Sequence, residues 1–591
     1  ESGNSQARIS GMLGDPADFS RLDLAVGLTT PDLLALLPIS ADGALPQLPV
    51  DASGRVAMVA GSINVRNIQG QLGGAQIFLE GLVDTVAPYD SSHFSMKAQG
   101  PDLGQTLGPW IEQRIAQVPF NVELHASFPV GGVQVGRLEG TVAGAHLSAE
   151  VNVDELRNPG VAHGNIQLVG SSSREVGEMV GLDVPLPDSE YSLSVGIEKS
   201  PDQLRLSPIA LDWGASDYKG SVNIKPGEVP TIDVSVHSKF VSLPFLLPDM
   251  TELEALEAAR PASHDTVNKA ILKEELTTKE LSVRVIPDVP LDFRWLENYR
   301  ATVNYEVDEL YMRDDAVSSV KIDISIADGQ LSSKQLSWDG TLMAGDAQLS
   351  VRALEDTHEV DVYLNLERSP LLFFLGGEPV RKSDSFYRAR IEAKGNSLRE
   401  LAQTSNGALV FQGGGGTLDN IGVDLVLGDV LEEVFTRLNP FSETETHTRL
   451  VCHAGALTIT DGKMAISPGL ILRTDKVDVH SSGEIDLRRE KLNLVFNTQS
   501  RKGIGISASK AVAPYFKLGG TLANPRLVLD VKGAAVSGGV AVATGGVSIL
   551  AEGLWDRWVT TAKNPCKRLI AQVTKQDEKR FNSLLQVPES R

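Results

Sequence analysis

The chain has 591 residues, more than one hydrophobic core usually serves, so several domains or one long repetitive body are expected. Its 55 glycines and an aromatic share of only 5% favour short strands and turns over helical bundles. A formal charge of −22 excludes a dominant basic surface for nucleic acid, and it repels anionic headgroups on average, so contact with lipid belongs to an uncharged face.

Residues 1–249 are predicted as repeated β-hairpin units. Leu72-Gly73-Gly74-Ala75, Val142-Ala143-Gly144-Ala145 and Asp212-Trp213-Gly214-Ala215 mark turns roughly seventy residues apart, a spacing that suggests a body growing by the addition of hairpins. Pro109 to Ile115 reads as a short helical connection. Further on, Ile232, Val234 and Val236 interleave with Asp233, Ser235 and His237, which gives a strand one dry face and one wet face.

Residues 250–300 are predicted as an acidic helical linker, and 301–400 as middle β units. In the latter Val360, Val362, Leu364 and Leu366 alternate with Asp361, Tyr363 and Asn365. Residues 401–530 form a further β region. Within it Leu427, Val430, Leu431, Val434, Phe435 and Leu438 follow helical spacing up to Pro440 and predict an amphipathic helix over 426–438.

Strand alternation returns at Val477 and Val479, at Ile485 and Leu487, and at Leu492, Leu494 and Phe496, all expected on one face. Residues 531–591 comprise an uncharged small-residue segment, Gly533 to Ala551, then Trp555 and Trp558 and a charged helical tail. The segment is long enough to span a bilayer but rich in glycine, and it reads as packing on the sheet. No basic and apolar leader precedes Gly11, as expected of a mature or truncated form.

Candidate chemistry is sparse. No His-Glu-x-x-His pair is present, and Cys452 and His453 on one strand point to opposite faces, so no metal site is expected. The run Gly413 to Gly416 lacks the Lys-Ser/Thr pair of a phosphate loop and reads as a bend or bulge. No nucleophile elbow appears, so neither an enzyme nor a cofactor is expected. Cys452 and Cys566 admit a bridge in an oxidising compartment or two thiols in a reducing one.

One ordered set of motifs adds to this reading. Cys452 ahead of Gly455-Ala456-Leu457-Thr458-Ile459-Thr460-Asp461-Gly462, the step Gly483-Glu484-Ile485-Asp486-Leu487 into Lys491-Leu492-Asn493-Leu494, and the closing Gly519-Gly520-Thr521-Leu522-Ala523-Asn524-Pro525-Arg526 resemble the C-terminal region of the AsmA family of bacterial envelope proteins. The resemblance implies a periplasmic β-groove protein, related to bridge-like lipid-transfer proteins, that moves phospholipid between inner and outer membranes. It also implies an inner-membrane anchor N-terminal to these residues, a Cys452–Cys566 disulfide, and an outer-membrane protein as a further candidate partner.

The fold expected is therefore mainly β: an elongated, repetitive antiparallel sheet curled into an open hydrophobic groove, with a few short helices. Ile232, Val234, Val236, Val360, Val362, Leu364, Leu366, Ile485, Leu487, Leu492 and Leu494 are expected to line it and to solvate acyl chains. The same alternation also describes sandwiches whose dry faces meet. In that case the chain is a structural or assembly factor for outer-membrane proteins or lipopolysaccharide. Aliphatic rows left unfilled would favour the lipid reading.

Overall fold

The structure, a computed structural model, describes residues 5–14, 21–32, 49–59, 61–84, 92–104, 117–128, 133–153, 161–179, 187–243, 284–312, 315–341, 343–368, 378–379, 385–419, 447–501, 515–529 and 564–576. The expected helices at 109–115 and 426–438 and the segment Gly533 to Ala551 lie outside them. The chain divides into two compact units, Glu1–Pro261 with Val307–Arg313, and Ala262–Glu306 with Asp314–Arg591. Both are built of antiparallel strands, as the period-two alternation requires.

In the first unit fourteen described strands, from Gln6–Met12 to Thr231–Ser242, form a meander in which each pairs with the next. Its short turns follow the predicted spacing. Ala143 and Gly144 take φ of 48° and 73° between Val142 and Ala145, the left-handed pair that lets a two-residue turn match strand twist. The amides of Gly73, Ala143 and Gly214 donate to the carbonyls of Pro49, Pro119 and Glu190. These equivalent hydrogen bonds recur about once per four strands, which gives the seventy-residue period its physical content.

Longer connections at the same strand ends recur with that period. One runs from Gly100 to Phe120 and is pinched by Leu103 N–H donating to Val118 O at 2.9 Å. The next runs from Gly170 to Tyr191, carries the helix Ser173–Met179, and is pinched by Ser173 N–H donating to Ser189 O at 3.0 Å.

In the second unit the strands run in order from Asp315–Ala327 to Pro525–Leu529, with two interruptions, the first being Glu378–Pro379, which is passed over and pairs with Gly416–Asp419. Asn406–Gly413 and Gly416–Asp419 both pair with His447–Thr460, so the four-glycine run falls where one strand gives way to the next. A Cβ on Gly413 would stand 2.1 Å from the His453 ring. Register shifts interrupt several ladders, including Ile466/Leu470 here and Leu206/Ile209 in the first unit, and such bulges bend strands and increase twist. Gly483 adds a kink: at φ 128° its Cβ position lies 2.2 Å from Asn493 O, a space no side chain could use.

Of the expected acidic helical linker, the part up to residue 283 lies outside the described residues; residues 284–300 are described and carry a 3-10 turn at Arg294–Asn298. Pro287 and Pro290 each lack an amide donor and forbid helical continuation. The segment is fixed to its own unit by Asp288, which accepts from Ser397 Oγ and Arg399 Nη1, both at 2.7 Å, and by complete burial of Leu296. The C-terminal tail is helical over Pro565–Gln576. One of its faces is apolar and buried, a packing role beyond that of a charged tail.

Candidate functional site

Residues directly opposite on antiparallel strands share a face, so the registers trace rows across each sheet. In the first unit one row passes through Ile68, Leu79, Met96, Leu124, Leu138, Ala149, Ile166, Val195, Ile209, Gly220 and Val236. Val234 faces Val222, and Ile232 faces Ile224, in the neighbouring rows. Over the eleven strands from Ser62–Leu72 to Thr231–Ser242, the described positions on this face carry one charged residue, Lys199, at its edge. The other face carries Glu80, Lys97, Glu123, Arg137, Glu139 and Glu150.

The apolar face is not a filled core. Apart from Ala149, buried at 7% exposure, and Gly220, the row consists of half-buried aliphatics. Burial concentrates instead at one set of strand ends, where Val50, Ala75, Phe120, Val142, Ala145 and Tyr191 each retain 7% exposure or less. Leu103 and Val118 of the long connection join Phe120 there. At the opposite strand ends Val83, on the same face, is 44% exposed, and Lys199 is exposed.

In the second unit a comparable row runs Ala347, Leu364, Ala389, Leu409, Leu457, Ile466, Gly483, Leu494 and Leu518. It unites two groups that the sequence singled out separately. Val360, Val362, Leu364 and Leu366 occupy its half-open part, with Val362 38% exposed. Toward the C-terminus the face closes: Leu457, Ile466, Val477, Val479, Leu494, Phe496 and Leu518 form a buried cluster, with Ile485 and Leu492 packed against it. Leu487 lies beyond its strand, its amide donating to Gly462 O.

The reverse face here is also dry, which period-two reasoning alone missed. Ala408, Val410, Cys452, Ala454, Ala456 and Ile471 meet Cys566, Leu569 and Val573 of the C-terminal helix, and Cys452 and Cys566 are joined as a disulfide with Cα atoms 6.4 Å apart. The signal was present in Val451-Cys452-His453-Ala454-Gly455-Ala456-Leu457, whose apolar residues occupy both parities, as in strands covered on both faces. Beside it Arg473 and Asp478, both buried, make a two-pronged ion pair at 2.6 and 2.8 Å.

His453 points to the face away from the disulfide. It is 2% exposed, stacks with Tyr387, meets the Phe411 ring at a tilt, and its Nε2 lies 2.6 Å from the Tyr387 hydroxyl. Burial lowers its pKa to about 4. The unfolded chain, with a histidine near its ordinary value, therefore binds the proton first as pH falls, and stability drops between about 6.5 and about 4. The full shift corresponds to about 3 kcal/mol. Denaturant unfolding at neutral pH and near the lower bound should show this loss for the parent and a smaller one for His453→Gln; equal losses would refute the assignment.

Among the described residues no group of three His, Cys, Asp or Glu side chains gathers where it could hold a metal ion. No described helix is long and apolar enough to cross a membrane. No protein-family model matches the chain, and no curated protein or solved structure matches it. The uncharged, half-open face of the first unit is the feature whose chemistry calls for a partner.

Proposed function

We propose that the protein binds phospholipid in the bacterial periplasm and passes it between inner and outer membranes, holding the acyl chains on its apolar sheet face. The observation that carries this is the first unit's face, uncharged across eleven strands except at its edge, with its aliphatics half-buried. Strands about 4.8 Å apart and an apolar depth of about 20 Å give it a footprint on the order of 1,000 Å², part of which its half-buried side chains leave open to water. A surface of that size in water needs a guest. Acyl chains fit it because they require no hydrogen bonds and can slide along rows that offer no specific site.

The acidic surface fits the same reading, since it leaves the uncharged face as the place for lipid. The disulfide is compatible with an oxidising compartment. The C-terminal motifs resemble those of AsmA-like envelope proteins. The test is to purify the full chain without detergent, extract it with organic solvent, and weigh phospholipid against protein by mass spectrometry. At least stoichiometric phospholipid is expected. A chain that folds and carries none would sink the proposal and favour an assembly factor working through protein contacts.

A further inference from the structure

The two ends of the first unit's apolar face differ. At one end Phe120 lies over Gly100, where an added Cβ would stand 2.9 Å from the ring, and Tyr191 lies over Gly170, where it would stand 2.5 Å from the hydroxyl. Both aromatic residues are buried, and at the same strand ends Leu103 N–H donates to Val118 O and Ser173 N–H donates to Ser189 O. Trp213 sits beside Tyr191 in that closed row. At the other end the row through Lys199, Leu204, Ile224 and Ile232 closes on the exposed turn residue Asp202 and the exposed Lys225. One end is apolar and buried at Phe120 and Tyr191, and the other is wet and charged.

Between them the depth is limited. Tyr191, Leu193, Val195 and Ile197 alternate onto the face over six residue steps, about 20 Å at 3.3 Å per residue. The chains of one membrane leaflet occupy about 15 Å, half of a hydrocarbon core about 30 Å thick. An acyl chain lying along the strands thus spans the face once.

We propose that phospholipid enters this face in a single orientation, with its methyl ends against Phe120, Tyr191 and Trp213 and its headgroup in water at the Lys199 end. The inference rests on the lipid-carrying reading above and adds direction to it. Because the Phe120 and Tyr191 rings occupy the far end, chains much longer than one leaflet are disfavoured. The ligand class is accordingly a diacyl phospholipid of ordinary membrane chain length.

Brominated phosphatidylcholines test the direction, because bromine quenches tryptophan only at close range. The full chain is loaded from vesicles of lipid brominated either near the acyl terminus or near the carbonyl, and bound lipid is measured by extraction from the same samples. Terminal bromine is expected to quench more strongly, and that difference is expected to disappear in Trp213→Phe, with circular dichroism confirming that the variant folds. Lipid bound with equal or reversed quenching overturns the orientation and leaves the carrier function standing. No bound lipid in either sample overturns both.

Discussion

Replacing both bridge cysteines, Cys452→Ser with Cys566→Ser, is expected to cost the second unit about 5 kcal/mol of stability. The bridge closes a loop between residues 114 apart in sequence, and the chain-entropy relation for a loop of that size gives about 5 kcal/mol at room temperature. A second effect adds to it: the 12-residue helix Pro565–Gln576 is too short to persist alone in water, so it stays ordered only while docked. Its release would uncover Ala408, Ala454, Ala456 and Ile471, none of which retains any exposure in the intact structure. Guanidinium unfolding of the full chain, with and without a thiol reductant, should show unfolding moving to lower denaturant on reduction. If the midpoint does not move, the helix is held by Leu569 and Val573 alone and the bridge is incidental.

Alternation at Ile232 to Val236, Val360 to Leu366 and Leu492 to Phe496 is enough to read the fold class and the shared face, because strand geometry has a fixed period and each of these stretches keeps it without a break. The recurring turns are equally plain, since Ala143-Gly144 and its equivalents need residues that tolerate positive φ. What alternation cannot distinguish is an aliphatic that faces water from one that faces protein. Val195 and Leu494 look alike in sequence, yet one is half-buried and the other 8% exposed, because Leu494 is packed into a cluster with Val477, Val479, Phe496 and Leu518. The closed end of the first unit had a faint signature: glycine followed about twenty residues later by an aromatic residue, at Gly100 and Phe120 and again at Gly170 and Tyr191. Only the register shows that each pair is a ring laid over a missing side chain.

The same contrast supplies the sharper experiment. Leu494→Asp places a carboxylate in the closed cluster beside Val479, Phe496 and Leu518, at a position only 8% exposed. Lost burial of the leucine and an unpaired buried charge together should remove at least about 4 kcal/mol, enough to unfold much of the second unit. Leu124→Asp, Ile166→Asp and Val195→Asp, combined in one chain, sit on the half-open face of the first unit, where each carboxylate can turn to solvent. That variant should fold, with a loss of roughly 1–2 kcal/mol per site. Its lipid content should nevertheless collapse: a carboxylate held against an acyl chain costs at least about 1–3 kcal/mol, and 1.4 kcal/mol already means tenfold. Circular dichroism and lipid mass spectrometry on both variants separate the cases. A folded triple variant stripped of lipid, beside a disordered Leu494→Asp, is what an open face in one unit and a closed core in the other require. If the triple variant unfolds as readily as Leu494→Asp, the first unit's rows are filled by protein, and the lipid reading fails with them.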